Sequence, residues 1–157
     1  MSVDRVRALL NGHGLGDRIV HLADDTRTAA LAAAALGTEQ GAIVKSLVLI
    51  AGTRPALALV SGDRRVDLAE AARLLGTLDA RMASAAEVKR ITGFAIGGIP
   101  PVHTAADGSI MKTLLDRELF RFADVWAAAG SAYDVFPLSP RELAEFTGAE
   151  VATFTQS

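Results

Sequence analysis

The sequence predicts an α+β domain in which a mixed, partly closed, barrel-like β-sheet is flanked by helices. Three observations lead there. The run Ala42–Ala51, Ala-Ile-Val-Lys-Ser-Leu-Val-Leu-Ile-Ala, is apolar on both faces, as a central strand requires. After the turn Gly52-Thr53-Arg54-Pro55 comes a second apolar run, Ala56–Val60, so two neighbouring strands form a hairpin. Helix signatures are scattered among the strands without the regular alternation of a Rossmann fold. The 157 residues have the length of one domain with its own core, and no repeat, linker or low-complexity tract divides residues 1–157.

Taken in order, Val3, Val6, Leu9 and Leu10 recur at helical spacing, and Gly12, Gly14 and Gly16 close that segment. A short strand is expected over 19–22. Asp25 or Thr26 can cap an Ala-rich helix that stops at Gly37. The second apolar strand runs out at Ser61-Gly62-Asp63. Three later helices carry N-terminal signatures at Asp67/Glu70, Ser84/Glu87 and Ser139/Glu142, each pairing an acceptor side chain with an acid in the positive first turn. Pro140 falls at a first helical position, where its missing N–H costs nothing. Between them lie a Gly- and Pro-rich loop, Gly93–His103, a strand near Ile110–Leu115, and β-like runs over 122–126 and 133–136.

Composition narrows the function. Half the residues are hydrophobic but aromatics are only 5%, so the core is aliphatic and an aromatic platform for stacking bases is not expected. With no cysteine there is no disulfide, thiolate nucleophile or Cys-ligated metal. A formal charge of −2 argues against a general basic coat, so a nucleic-acid partner would be gripped locally, at its end. No apolar run reaches the ~20 residues needed to span a bilayer, and the first residues lack a signal-peptide layout. A soluble cytoplasmic protein without a membrane partner is expected.

Lys45 is the most informative residue. It shares a strand face with Ile43, Leu47 and Leu49. It reads either as a lysine snorkelling from a strand end, or as an ammonium half-withdrawn from water that an anion such as phosphate would hold. Nothing close to it in the chain is a carboxylate, which leaves room for a ligand. The second feature is Gly97-Gly98-Ile99-Pro100-Pro101. Adjacent glycines let a backbone approach a ligand or take positive φ, and two prolines remove donors and present carbonyls. The same segment also reads as an ordinary surface turn.

Other chemistry finds little support. His13, His21 and His103 have no metal-ligand spacing, so no metal and no cofactor are expected. Ser46, Ser61 and Ser109 lack a nucleophile elbow, and no phosphate-binding GxxxxGK[ST] loop occurs. Gly62-Asp63-Arg64-Arg65 reads as a solvated hairpin tip, and Trp126 as core or an edge contact.

Together these segments resemble a known family. Thr28-Ala29-Ala30, Ala35-Leu36-Gly37 and Ile43-Val44-Lys45-Ser46-Leu47 resemble the opening of the YbaK-type, prolyl-tRNA-synthetase-associated aminoacyl-tRNA deacylases. The likeness continues through Ala58–Asp67, Ala80–Ser84, Thr92-Gly93, Gly97–Pro101, Asp116, Trp126–Gly130 and Val135–Leu143, covering nearly the whole chain in order.

The resemblance implies a free-standing editing enzyme that deacylates tRNA mischarged with a small amino acid of the Ala/Cys/Ser/Thr class, without a metal. The partner implied is the acceptor 3′ end of mischarged tRNA, with an aminoacyl-tRNA synthetase as a second candidate. Lys45 matches the family's essential lysine, assigned to the terminal phosphate and substrate placement. Gly97, Gly98, Pro100 and Pro101 match its glycine–proline loop, and Asp116 falls where the family has an acid after a strand. His103 and the approach Ser109–Thr113 depart from the family pattern. A non-catalytic module that binds a nucleotide or a tRNA end and regulates a synthetase is the competing reading.

Overall fold

The computed structural model describes residues 2–23 and 27–157. The chain opens with α1 (Ser2–Asn11), a 3-10 turn (Gly16–Arg18) and β1 (Val20–His21). Then come α2 (Ala29–Leu36), a 3-10 turn (Gln40–Ala42), β2 (Val44–Ala51), β3 (Arg54–Ser61) and β4 (Arg65–Val66). The middle of the chain forms α3 (Leu68–Leu75), β5 (Ala80–Met82), α4 (Ala85–Thr92) and β6 (Lys112–Asp116). A 3-10 turn (Arg117–Arg121) leads to β7 (Val125–Ser131), β8 (Asp134–Leu138), α5 (Pro140–Thr147), β9 (Glu150–Ala152) and β10 (Thr155–Gln156).

Local chemistry accounts for the helix ends. Ser84 and Ser139 each form a complete capping box, accepting from the backbone of Glu87 and Glu142 while those carboxylates accept from the caps in return. Asp67 caps α3 by accepting from Glu70 N at 3.1 Å. The Ala-rich helix is capped by Thr28, which accepts from Leu31 N, and stops at Gly37 in the left-handed region (φ 66°). The caps expected at Asp25 and Thr26 lie outside the described residues. On α1, Val6 and Leu10 are fully buried, whereas Leu9 is on the outer face at 41% exposure.

The principal sheet is mixed and five-stranded, in the order β5-β2-β3-β6-β9. Pairings of β2 with β3 and β5 are antiparallel, while β3–β6 and β6–β9 are parallel. β2 is therefore an interior strand, as its two apolar faces demand. Its face bearing Val44, Val48 and Ile50 packs into the larger core with Leu57, Leu59, Phe136 and Leu143. Leu49 on the opposite face joins Ala58, Val60, Leu114 and Phe154 under α3.

Partial closure into a barrel is not found among the described residues. A second sheet, β1-β8-β7, and a two-stranded ribbon, β10-β4, stand apart from the first. A single parallel bridge, Ile43–Trp126, joins the start of β2 to β7. One bridge leaves a seam, and that seam is where the site lies.

Strand boundaries shifted where pairing overrode composition. The run predicted over 122–126 is observed at Val125–Ser131, because Val125–Ala128 pair with Leu138–Val135 of β8 even though alanine is a poor strand former. Ile110, the start of the strand predicted near Ile110–Leu115, is 68% exposed and precedes the observed β6.

Candidate active site

A cleft of about 300 Å³ opens at the seam. Its walls are Ile43–Leu47 at the start of β2, the first turn of α2 with Arg27 ahead of it, the loop residues Ile96, Gly97 and Ile99, Trp126–Ala128 of β7, and Val135 of β8. The lining is mostly apolar. Its polar side chains are Arg27, Thr28, Lys45 and Ser46, and among the described residues no carboxylate lines it.

Lys45 sits opposite Val60 on the β2–β3 ladder and is half-buried. Its Nζ donates to the carbonyl of Arg64, in the turn after β3. Burial pulls its pKa below the ordinary lysine value, and the carboxylates of Asp63 and Asp116 oppose that shift. The sequence neighbours of Lys45 carry no carboxylate, as read from the chain, but chain reversal brings the charges of two near it. Neither forms an ion pair with it. Asp63 is held by Arg121, with N–O distances of 2.9 and 3.3 Å. Asp116 is fully buried and accepts from Ser61 N (3.0 Å), Glu118 N (3.0 Å) and Thr155 Oγ1 (3.1 Å).

Asp116 therefore does not line the cleft. Its place at the end of β6 makes it the cap of the following 3-10 turn and the anchor of the β3 terminus. Of the site residues assigned from the sequence, Lys45, Gly97, Gly98, Pro100, Pro101 and Asp116, only Lys45 and Gly97 come together in the cleft. Gly97 has φ 93°, and a Cβ there would lie 3.0 Å from Arg27 Cγ. Gly98 has no such φ. A Cβ on it would meet the Ser131 backbone at 2.9 Å, so it packs the loop against the β7–β8 turn rather than facing the cleft. Pro100 and Pro101 are buried outside the lining, and one carbonyl they offer, that of Pro100, is taken by Val102 N. His103 is likewise elsewhere, its carbonyl accepting from Met111 N.

Sequence reasoning missed several lining groups. Trp126 is one, packed beside Ala32, Ala33 and Ile43 as well as facing the cleft. Ser46 is another. Its Oγ is buried without a hydrogen-bond partner. The signal was present in Lys45-Ser46, a polar pair inside an apolar strand. The Gly62–Arg65 turn is more than a solvated tip, since Asp63 binds Arg121 and Arg64 donates to the carbonyl of Thr155.

A second polar cluster borders this region. Asp134 accepts from Ser131 Oγ at 2.5 Å and has His21 Nδ1 at 2.8 Å on its other oxygen. The carboxylate stands between serine and histidine, so this is not the order in which a histidine base activates a serine. Among the described residues no group of three or more His, Asp or Glu side chains is disposed to hold a metal, and no helix is long and apolar enough to cross a membrane.

The arrangement defines a class: an α+β protein that presents a lysine, rather than a nucleophile–base pair, to a mostly apolar cleft. The chain belongs to the aminoacyl-tRNA editing domain family, whose model matches residues 23–146. That membership places it among the aminoacyl-tRNA deacylases. It is 32% identical over 152 residues to the uncharacterized protein YwhH of Bacillus subtilis, covering 96% of this chain and 94% of that protein. It is 26% identical over 133 residues to EbsC of Enterococcus faecalis, covering 84% of this chain and 79% of the relative, which is named as a candidate Cys-tRNA(Pro)/Cys-tRNA(Cys) deacylase. A crystal structure of a candidate trans-editing enzyme for prolyl tRNA synthetase superposes with TM-score 0.89 at 43% identity, over 99% of this chain and 98% of that one.

Proposed function

We propose that this protein acts in trans on mischarged tRNA, hydrolysing the ester to a small amino acid in the cleft at Lys45. The observation that carries this reading is a cation held half-buried in a mostly apolar cleft that, among the described residues, has no carboxylate in its lining. Such a site takes an anion next to an apolar group, which is what a terminal phosphate beside a short aminoacyl side chain presents. The name carried by EbsC points to cysteine as one member of the substrate class.

In this reading Lys45 holds the phosphate of the 3′-terminal adenosine, and Gly97 lets the loop backbone approach the aminoacyl group. A water, oriented by the vicinal ribose hydroxyl, attacks the ester carbonyl. The bond to the ribose oxygen breaks, and that oxygen leaves with a proton. An aminoacyl ester is already activated, so placement and charge stabilisation suffice. Ser46 Oγ, buried and unpartnered, offers the substrate a hydrogen bond that the protein leaves unmade.

The test is a deacylation screen against tRNAs bearing Ala, Ser, Thr and Cys, with Lys45→Ala alongside. Wild type should release at least one of them, and Lys45→Ala should fold but release none. Removing a half-buried lysine that makes one hydrogen bond should change stability by only about 1 kcal/mol. Tight binding of tRNA without any turnover would instead favour the regulatory binding module.

A further inference from the structure

Beside Lys45, outside the cleft lining, stands a charged network that the proposed mechanism does not use. Arg121 Nη2 donates to Asp63 Oδ1 (2.9 Å) and to Ser61 Oγ (2.8 Å), Nη1 approaches Asp63 Oδ2 (3.3 Å), and Nε donates to the Glu118 carbonyl (2.7 Å). The guanidinium also lies over the Phe122 ring, 4.9 Å from its centroid. The pair is packed against bare backbone: a Cβ at Gly41 would come within 2.9 Å of both Arg121 Nη2 and Asp63 Oδ2. Ser61 Oγ closes the network by donating to the Gly41 carbonyl at 2.6 Å.

We propose that Arg121 is a positioning residue for Lys45: by engaging Asp63 it keeps that carboxylate from capturing the lysine, so the ammonium stays available to the substrate's phosphate. The inference rests on the role given to Lys45 above. Asp63 directly precedes the residue whose carbonyl holds Lys45 Nζ, and its charge already acts on the lysine. The other charged groups around the lysine are already committed. Asp116 is saturated by three donors, and Arg64 binds Thr155. Glu118 lies 3.6 Å from Arg121, and Arg27 stands across the cleft. Asp63 is held by Arg121 and by Ser61 Oγ (3.1 Å), and among the described acids around the lysine it is the one whose main partner is a single removable side chain. Arg121 also holds its carboxyl below the usual range, so it is ionised and would compete directly with a phosphate.

Two readouts test this. In kinetics on mischarged tRNA, Arg121→Gln should raise KM while kcat holds. If Asp63 then occupies the lysine nine-tenths of the time, the rise is about tenfold. The double variant Arg121→Gln/Asp63→Asn should recover most of that loss, which no merely structural role predicts. Arg121→Lys, which keeps a donor on Asp63, should stay near wild type. Independently of activity, the chain has three lysines, so NMR of the 13C-dimethylated protein can follow Lys45 directly. Arg121→Gln should raise its pKa, because it gains an anionic partner, and the double variant should bring it back down. Should Arg121→Gln not fold, Arg121→Met keeps the contact with Phe122 and carries the same comparison. An unmoved Lys45 titration in folded Arg121→Gln, or a double variant as impaired as the single one, would overturn the proposal. A wild type inactive on every mischarged tRNA would refute the function while the titration still decides the role of Arg121.

Discussion

Replacing Asp116 by Asn separates a substrate-binding acid from a structural one. The two side chains have the same shape, so the change is one of hydrogen bonding. Asp116 Oδ2 accepts from Ser61 N, and Oδ1 from Glu118 N and Thr155 Oγ1. An amide has one acceptor oxygen, so its NH2 must face at least one of these donors. The most favourable flip keeps the two bonds at Oδ1 and sets NH2 against Ser61 N, leaving a buried backbone donor unmatched. That costs about 1–3 kcal/mol. For a chain of this size each kcal/mol moves Tm by about 2–4 °C, so a fall of about 2–12 °C is expected. Ser61 also begins the turn whose Arg64 carbonyl holds Lys45, so a modest loss of activity should accompany the loss of stability. The assay is thermal unfolding together with deacylation kinetics on the same preparation. An unchanged Tm with a raised KM would refute the reasoning and return Asp116 to the substrate site.

Ser46→Ala should leave Tm unchanged or raise it, because it removes a buried hydroxyl without a partner, yet it should raise KM if that hydroxyl meets the substrate; unfolding scans and kinetics read the two effects. Gly98→Ala places a carbon 2.9 Å from Ser131 backbone, so stability should fall by about 1–3 kcal/mol in denaturant titrations. The ratio of alanyl to threonyl release should be unchanged by it, since Gly98 is not a cleft wall. Glu142 caps α5 and pairs with Arg18 at 2.8 Å, which lowers its pKa from 4.5 to about 2. A depressed acid contributes stability above its unfolded pKa and loses it as pH falls through the folded one, so that contribution should fade from pH 4.5 down to about 2. Both side chains are more than a third exposed, so the effect should be small and should shrink in salt; Glu142→Gln should flatten that part of the acid-stability curve.

The helix starts at Asp67, Ser84 and Ser139 were legible because a cap and its partner lie three residues apart, within reach of local chemistry. The interior place of β2 was legible too, since a strand buried on both faces must be apolar on both. Lys45 stood out for the same reason, as a charge inside that run. The short strands β4, β5, β9 and β10 left no such mark. Each has two or three residues and exists only through a partner elsewhere in the chain.

The identity of the site's other members was decided by distance along the chain. Gly97 and Gly98 are adjacent in sequence, yet one lines the cleft and the other packs on Ser131. Asp116, an acid at a strand end, reads the same whether it faces substrate or three buried donors. Its partners Ser61 and Thr155 lie 55 and 39 residues away. By itself the sequence determined where α3, α4 and α5 begin, that β2 is an interior strand and which lysine lacks a local counter-charge. Only tertiary pairing decided that Asp63 and Asp116 surround that lysine without binding it, because a hydrogen bond spanning 55 residues depends on where two strands dock, and no local pattern encodes that.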